Sequence, residues 1–228
     1  MRVLVLGDGK LASEIVNQTG WDFLSRKKDG IEVNDFDKWL HNMLPYDVIV
    51  NCIANTNTYS QDEALMMDTN YIFPVNLVNF CEEAGKKLVH ISTDYVYSGS
   101  FENASETDVP VPDRNWYSLT KLLADSHIKM FSKSYLICRL SHKPYPFPYD
   151  GAWGDVITNA DYTPVISGLV VKLIDNQAHG VYNVGTEPKS IHELASKTKV
   201  VENIKSPDHV PKNVTMSLDK LNNFLNSI

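Results

Sequence analysis

The sequence predicts a doubly wound, parallel α/β sheet that carries a small, shortened C-terminal lobe. Three observations predict it. Short runs rich in Val, Ile and Leu alternate with amphipathic helical stretches from residue 1 to about residue 140, as expected of strands buried on both faces and crossed by helices. The first run, RVLVLG, ends in the glycine turn Gly7-x-Gly9-x-x-Ala12, which opens the first helical stretch. Beyond Arg139 the alternation gives way to a proline- and aromatic-rich segment, SHKPYPFPYDGAW.

Taken in order, Arg2 to Gly7 reads as a buried strand, and KLASEIVNQ follows as a helix with Leu11, Ile15 and Val16 on one face. A weaker strand lies in WDFLSR. The spacing of Phe36, Trp39, Leu40 and Met43 predicts a helix over DFDKWLHNML. DVIVNCIA is another buried strand, and DEALMMDTNYIFPVNLVNFCEEAG a long helix ending near Gly85. Pro74 kinks or restarts that helix, because its ring removes a donor and crowds the carbonyl four residues back. KLVHIST is the next strand, WYSLTKLLADSHIKMF the next helix and SYLICRL the strand after it. Right-handed crossovers then place helices on both faces and a ligand crevice at the carboxyl ends of the strands.

After the proline-rich loop come a helix around VISGLVVKLIDN, a strand in GVYNVG and a helix from SIHELASKT. That last helix has Ser190 as N-cap and Glu193 completing a capping box. A terminal helix lies near SLDKLNNFL. The expected division is a dinucleotide-binding domain over residues 1–140 and a small substrate-binding lobe over 141–228, whose chain ends can cross back to the sheet.

Bulk properties exclude several function classes. With 21 Lys and Arg against 28 Asp and Glu the formal net charge is −7, which argues against a nucleic-acid binder relying on broad electrostatics. An anionic ligand therefore needs a local site, such as a helix N-terminus or a small basic cluster. The apolar run in MRVLVLGDG is too short for a signal peptide, and no stretch approaches membrane-spanning length, so a cytoplasmic protein without membrane partners is expected. Cys52, Cys81 and Cys138 are odd in number, widely spaced and set in apolar segments, as reduced core thiols would be. Neither they nor the seven scattered histidines show metal-ligand spacing, so no metal site is assigned.

The glycine turn supplies the first candidate site. Gly7 allows a tight turn, Gly9 allows close backbone approach to a pyrophosphate, and Ala12 allows the helix to pack closely on the strand. Gly7, Gly9, Lys10 and Leu11 are the candidate cofactor contacts, with a purely structural turn as the alternative. Asp8 must point away from any phosphate. After the second strand, where an acid would accept ribose hydroxyls in an NAD site, the chain carries Arg26, Lys27 and Lys28. A basic cluster there suits a 2′-phosphate and favours NADP(H) over NAD(H), which remains possible. The competing reading is a solvated surface run.

The second candidate site lies in NWYSLTKLLAD. Of eleven tyrosines only Tyr117 is followed by Lys four positions later, which puts both on one helix face a turn apart. Reduction of a ketone builds negative charge on oxygen and needs a proton donor. A free phenol, with a pKa of about 10, is a weak acid near neutrality. An ammonium on the same face would stabilise the phenolate, while its other donors could hold ribose hydroxyls. The alternative is a half-buried core tyrosine with Lys121 snorkelling to solvent.

HISTDYVYSG, then ETD before a proline, then WYSLTKLLAD resemble, in order, the motifs of extended short-chain dehydrogenases, most closely the dTDP-4-dehydrorhamnose reductase family. VNCIA resembles the family's Asn-x-x-Ala after the fourth strand, and GVYNVG, SIHELA and VTMSLDKL its C-terminal portion. The resemblance covers almost the whole chain, strongly between residues 45 and 140. It implies a Rossmann-type NAD(P)-binding fold and a catalytic set of Thr93, Tyr117 and Lys121, with Thr93 polarising the carbonyl. It further implies that Asn51 and Ala54 line the cofactor, that the substrate is a nucleotide sugar, and that the chain can form a homodimer. Asn70 reads equally well as a buried structural amide.

The sequence also departs from that family. Its glycine turn is one residue tighter than the usual Gly-x-x-Gly-x-x-Gly. After Arg139, the family's Arg-Thr-Ser-Trp segment is replaced by a stretch containing His142 and Lys143, and the lobe is short. Tyr145, Phe147, Tyr149 and Trp153 could stack on a base or sugar, or simply anchor the loop. The expectation is NAD(P)H-dependent reduction of a nucleotide-activated 4-keto-6-deoxy sugar. Alternatives are an epimerase or dehydratase that retains its cofactor, or a non-catalytic NADP-binding regulatory subunit.

Overall fold

The computed structural model describes residues 1–228. Its first half runs β1 (Val3–Leu6), α1 (Lys10–Thr19), β2 (Asp22–Leu24), α2 (Arg26–Asp29), α3 (Phe36–Met43), β3 (Val48–Asn51), α4 (Glu63–Met67), α5 (Phe73–Glu83), β4 (Lys87–Thr93), α6 (Trp116–Phe131) and β5 (Tyr135–Leu140). The remainder runs β6 (His142–Lys143), β7 (Gly151–Trp153), β8 (Ile157–Thr158), β9 (Asp161–Tyr162), α7 (Thr163–Asp175), β10 (Gly180–Val184), β11 (Lys189–Ser190), α8 (Ile191–Ser196), β12 (Glu202–Ile204) and α9 (Asp219–Leu225).

Six strands form one sheet in the order β2-β1-β3-β4-β5-β10, every neighbouring pair parallel. The pleat sends alternate residues to opposite faces. Val3, Val5, Val50, Val89 and Cys138 meet α1, α7 and α9 through Ala12, Ile15, Ile166, Val170 and Leu221. Leu4, Leu6, Ile49, Leu88 and Ile137 meet α3, α5 and α6 through Trp39, Leu77 and Ile128. Both faces are covered, as a doubly wound sheet requires. Each fully buried side chain of this kind contributes about 1.5–3 kcal/mol, so these two layers hold the helices more than local propensity does. The strand order reverses between β1 and β3, and the crevice opens there, beyond Gly7 and Asn51.

The long helix expected around Pro74 is divided. A π-helical turn, Asp68–Ile72, joins α4 to α5, and the amide of Phe73 donates to the carbonyl of Asp68. Widening the helix just before Pro74 relieves the ring's demand on the preceding turn. The capping box at Ser190 is present: the Glu193 amide donates to Ser190 Oγ at 3.0 Å and the Ser190 amide to Glu193 Oε2 at 2.6 Å.

Beyond Leu140 the chain serves two bodies. Phe147, Val156, Tyr162, Ile191, Leu194 and Val201 form a separate small core, laced by the short pairs β6–β9, β7–β12 and β8–β11. Residues of α7, β10 and α9 pack instead into the main sheet, where Tyr182 meets Phe224 edge-on with ring centroids 5.5 Å apart. The proline-rich loop is anchored by Phe147, which is buried, while Tyr145 and Tyr149 stay exposed. Cys52, Cys81 and Cys138 are free thiols. No helix is long and apolar enough to cross a membrane.

Candidate active site

At the end of β1, Gly7 adopts φ +110°, and a Cβ there would lie 3.3 Å from Ile53 Cγ1. Only glycine takes that conformation at that distance without strain. Gly9 is the N-cap of α1 and differs in kind: its φ is −66°, and a Cβ would meet nothing within 4 Å. No side chain caps this helix end. The amides of Lys10 and Leu11, which have no intrahelical acceptor, are thus open to an anion at the crevice. Ala12 is fully buried against the sheet.

A second set of charges reaches this helix end. Burial, aided by the nearby ammonium groups of Lys143 and Lys10, pushes the His142 imidazole down to about 4. His142 is held by Thr163, 3.1 Å from Nδ1 to Oγ1. At the carboxyl end of β2, Ser25 caps α2, the single turn that carries the basic cluster. Arg26 is exposed and 3.8 Å from Glu32. Lys28 lies over the Phe23 ring, 4.2 Å from its centroid. Lys27 is exposed.

The third part lies between β4 and α6. Asn115 caps α6, its Oδ1 accepting from the Ser118 amide at 2.8 Å, which sets Tyr117 in the first turn. Tyr117 is partly exposed, and burial nevertheless pushes its phenol up to about 12, opposed by the nearby Thr93 hydroxyl. Thr93 is buried at the end of β4. Its hydroxyl donates to Asp94 Oδ1 at 3.2 Å and accepts from the Tyr95 amide at 3.2 Å. Asp94 is buried and takes a second hydroxyl, from Thr158, at 3.3 Å. Burial raises its carboxyl to about 6, although the Lys143 charge pulls the other way.

Lys121 shares the helix with Tyr117 but faces inward. It is 1% exposed, and its Nζ donates to the Ile91 carbonyl at 2.7 Å and lies 3.0 Å from His90 Nε2. The Lys121 charge is not among the influences on Tyr117. Burial outweighs any depression of the phenol in this arrangement. Helical spacing fixes which face two residues share, and the buried acceptors on β4 decide where the flexible lysine ends.

Asn51 also turns inward. Its Oδ1 accepts from the Ile53 amide at 3.0 Å and its Nδ2 is 3.2 Å from His90 Nδ1. Both ends of the amide are committed, so what Asn51 offers the crevice is the bend it imposes on the following chain, where Ala54 is half-buried. Asn70 clamps that same segment. It accepts from the Asn55 amide at 2.8 Å and donates to the Asn55 carbonyl at 3.1 Å. Behind the site Arg139 Nε donates to Asp125 Oδ2 at 2.9 Å, both side chains being fully buried.

Two features escaped the sequence. His90 gives no signal of its own in a strand. An aromatic row also crosses the crevice: Tyr95 meets Tyr117 edge-on at 6.2 Å, and Tyr59 meets His209 of the small lobe at 4.6 Å. Tyr59 and His209 lie 150 residues apart and come together only by folding.

The family model of the RmlD substrate binding domain matches residues 1–142. The chain belongs to that family. It is 28% identical over 138 residues to the dTDP-4-dehydrorhamnose reductase of Mycobacterium tuberculosis, a match covering 56% of this chain and 45% of that protein. The matched region thus spans less than half of that curated relative. It is also 28% identical over 213 residues to the spore coat polysaccharide biosynthesis protein SpsK of Bacillus subtilis, covering 80% of this chain and 72% of that protein. Among solved structures, the Bacillus anthracis dTDP-4-dehydrorhamnose reductase in complex with NADP superposes with a TM-score of 0.81 at 24% identity, covering all of this chain and 92% of that one. This likeness shows the fold. The RmlD-family match ends at β6, and the open backbone at Gly9 with its uncapped helix fits a dinucleotide pyrophosphate. No cluster of His, Cys, Asp or Glu suits a metal ion.

Proposed function

We propose that this RmlD-family chain reduces the 4-keto group of a nucleotide-activated 6-deoxy sugar with NAD(P)H, with NADPH preferred. The observation that carries the reading is the convergence of Thr93 and Tyr117 at the end of β4, beside a crevice that begins with the open glycine turn. The cofactor would be held by the amides of Lys10 and Leu11 at its pyrophosphate, by the segment from Asn51 to Ala54, and by Arg26 and Lys27 at a 2′-phosphate. A reduced nicotinamide supplies the hydride. Tyr117 gives its proton to the developing alkoxide, and Thr93 turns its hydroxyl from Asp94 to the same oxygen. Lys121 holds ribose hydroxyls and lowers the cost of the phenolate once its Nζ leaves the His90 side. The row from Tyr117 to His209 forms one wall for sugar and base.

One observation favours a non-catalytic, dinucleotide-binding role: Tyr117 sits at a raised pKa with Lys121 turned away. A single experiment decides between them. NADPH oxidation is followed with dTDP- and UDP-linked 4-keto-6-deoxy sugars, and Tyr117→Phe is expected to lower kcat by about 10²–10⁴-fold while cofactor affinity changes little. NADPH binding without turnover, unchanged in Tyr117→Phe, establishes the binding role instead.

A further inference from the structure

His90 is fully buried in β4, beside its register partner Asn51 in β3 and beneath Lys121 of α6. The hydrogen bonds around it are not independent. The Ile53 backbone amide can only donate, so the Asn51 atom 3.0 Å from it must be Oδ1. The other end of the amide, Nδ2, then donates to His90 Nδ1 across 3.2 Å. With Nδ1 accepting, the proton of the neutral imidazole belongs on Nε2, which points at Lys121 Nζ across 3.0 Å. An ammonium has no lone pair to receive it, whereas an amine does. The amine also keeps a hydrogen for the Ile91 carbonyl at 2.7 Å. Charging Lys121 reverses the chain: Nε2 must accept, Nδ1 must carry the proton, and that proton then meets the Asn51 Nδ2 donor.

We propose that His90, oriented by Asn51, is a positioning residue that holds Lys121 and biases it towards the neutral amine. His90 touches neither substrate nor cofactor in this role and acts only through Lys121. The surroundings agree. Burial lowers Lys121 to about 8, opposed by the charge of Asp125 on its own helix, while burial keeps the Cys52 thiol beyond β3 neutral in that range. Burial also pushes His90 well below its ordinary value, and the Lys121 charge pushes it further, so His90 stays neutral. Asp125 is itself taken by Arg139 from β5, and Tyr117 is the other titratable group on the same helix face.

The consequence is a charge that can be switched. In the reductase reading, on which the kinetic part of this proposal rests, the ammonium form supports the phenolate. Activity is then lost as pH rises through the Lys121 midpoint near 8. Asn51→Asp supplies a carboxylate that still accepts from Ile53 and also accepts from His90 Nδ1–H, which turns the Nε2 lone pair towards Lys121. The expected result is a rise of the Lys121 midpoint by about one pH unit, a tenfold gain in proton affinity. The basic limb of kcat/KM moves with it.

The test uses the full chain with ¹⁵N-labelled histidine and ¹³Cε-labelled lysine, the His90 and Lys121 signals being assigned from His90→Gln and Lys121→Arg. The expected outcome is a Lys121 titration near 8, a neutral His90 protonated on Nε2 above that midpoint, and an upward shift of the titration in Asn51→Asp. A His90 that stays protonated on Nδ1 above the Lys121 midpoint overturns the proposal, as does an Asn51→Asp chain whose Lys121 titrates unchanged. A merely structural His90 would leave the Lys121 midpoint in place. The tautomer of the unsubstituted chain decides the matter even where a variant does not fold. None of these readings needs a substrate, so an absence of turnover overturns the reductase reading and leaves this one standing.

Discussion

The two halves of the crevice are built on opposite plans. At the β1–α1 turn the groups offered to a ligand are backbone amides with no side chain spent on them, and Lys10 and Arg26 nearby are exposed. Between β4 and α6 nearly every polar side chain is already committed: Thr93 to Asp94, Lys121 to Ile91, Asn51 to Ile53, Arg139 to Asp125. The first half is an open set of donors that tolerates change around it. The second is a buried network with few open positions, Asp125 Oδ1 and Ser92 Oγ among them, in which removing one member strands another.

Four substitutions sharpen or break that contrast. The largest effect is expected for Asp125→Ala, which leaves the Arg139 guanidinium buried without its carboxylate and should cost about 3–5 kcal/mol in urea unfolding. A loss below about 1 kcal/mol would show that the Arg139–Asp125 pair does not hold the network behind α6 together. Gly7→Ala forces an alanine to φ +110° against Ile53 and should cost about 1–3 kcal/mol. Gly9→Ala is the counterpart, because its backbone suits alanine and its surroundings are open. Stability should stay within about 0.5 kcal/mol of the parent, while NADPH affinity, read by calorimetry, falls about tenfold or more. If Gly9→Ala binds NADPH as the parent does, the open end of α1 is not the pyrophosphate site. Arg26→Ala should have the smallest effect: about a threefold loss for NADPH, none for NADH, and a difference that shrinks as salt is added. Equal losses for both cofactors would remove Arg26 from the 2′-phosphate.

Much of the fold was legible because it rests on short-range pattern. The strand KLVHIST and the helix WYSLTKLLADSHIKMF lie where the sequence places them, at Lys87–Thr93 and Trp116–Phe131. Periodicity and a capping asparagine are local signals. The π-helical turn before Pro74 was not legible, since proline announces a disturbance without saying whether the helix kinks, breaks or widens. The fate of the chain beyond Arg139 was only half legible. Helix, strand and capping box could be read, but strand pairing is a long-range matter, so the return of β10 to the edge beside β5 appears only in three dimensions.

The candidate site divides in the same way. Gly7, Gly9 and the Tyr117–Lys121 spacing were visible because each depends on residues within a few positions. His90 was not, since a histidine in a strand acquires its meaning from Asn51, 39 residues earlier, and Lys121, 31 residues later. By itself the sequence determined the doubly wound class, the helix that carries Tyr117, and the glycine turn. Tertiary structure decided where flexible side chains end, because buried donors and acceptors must be satisfied by whatever folding brings within 3 Å. That requirement turns Lys121 away from Tyr117 and towards His90.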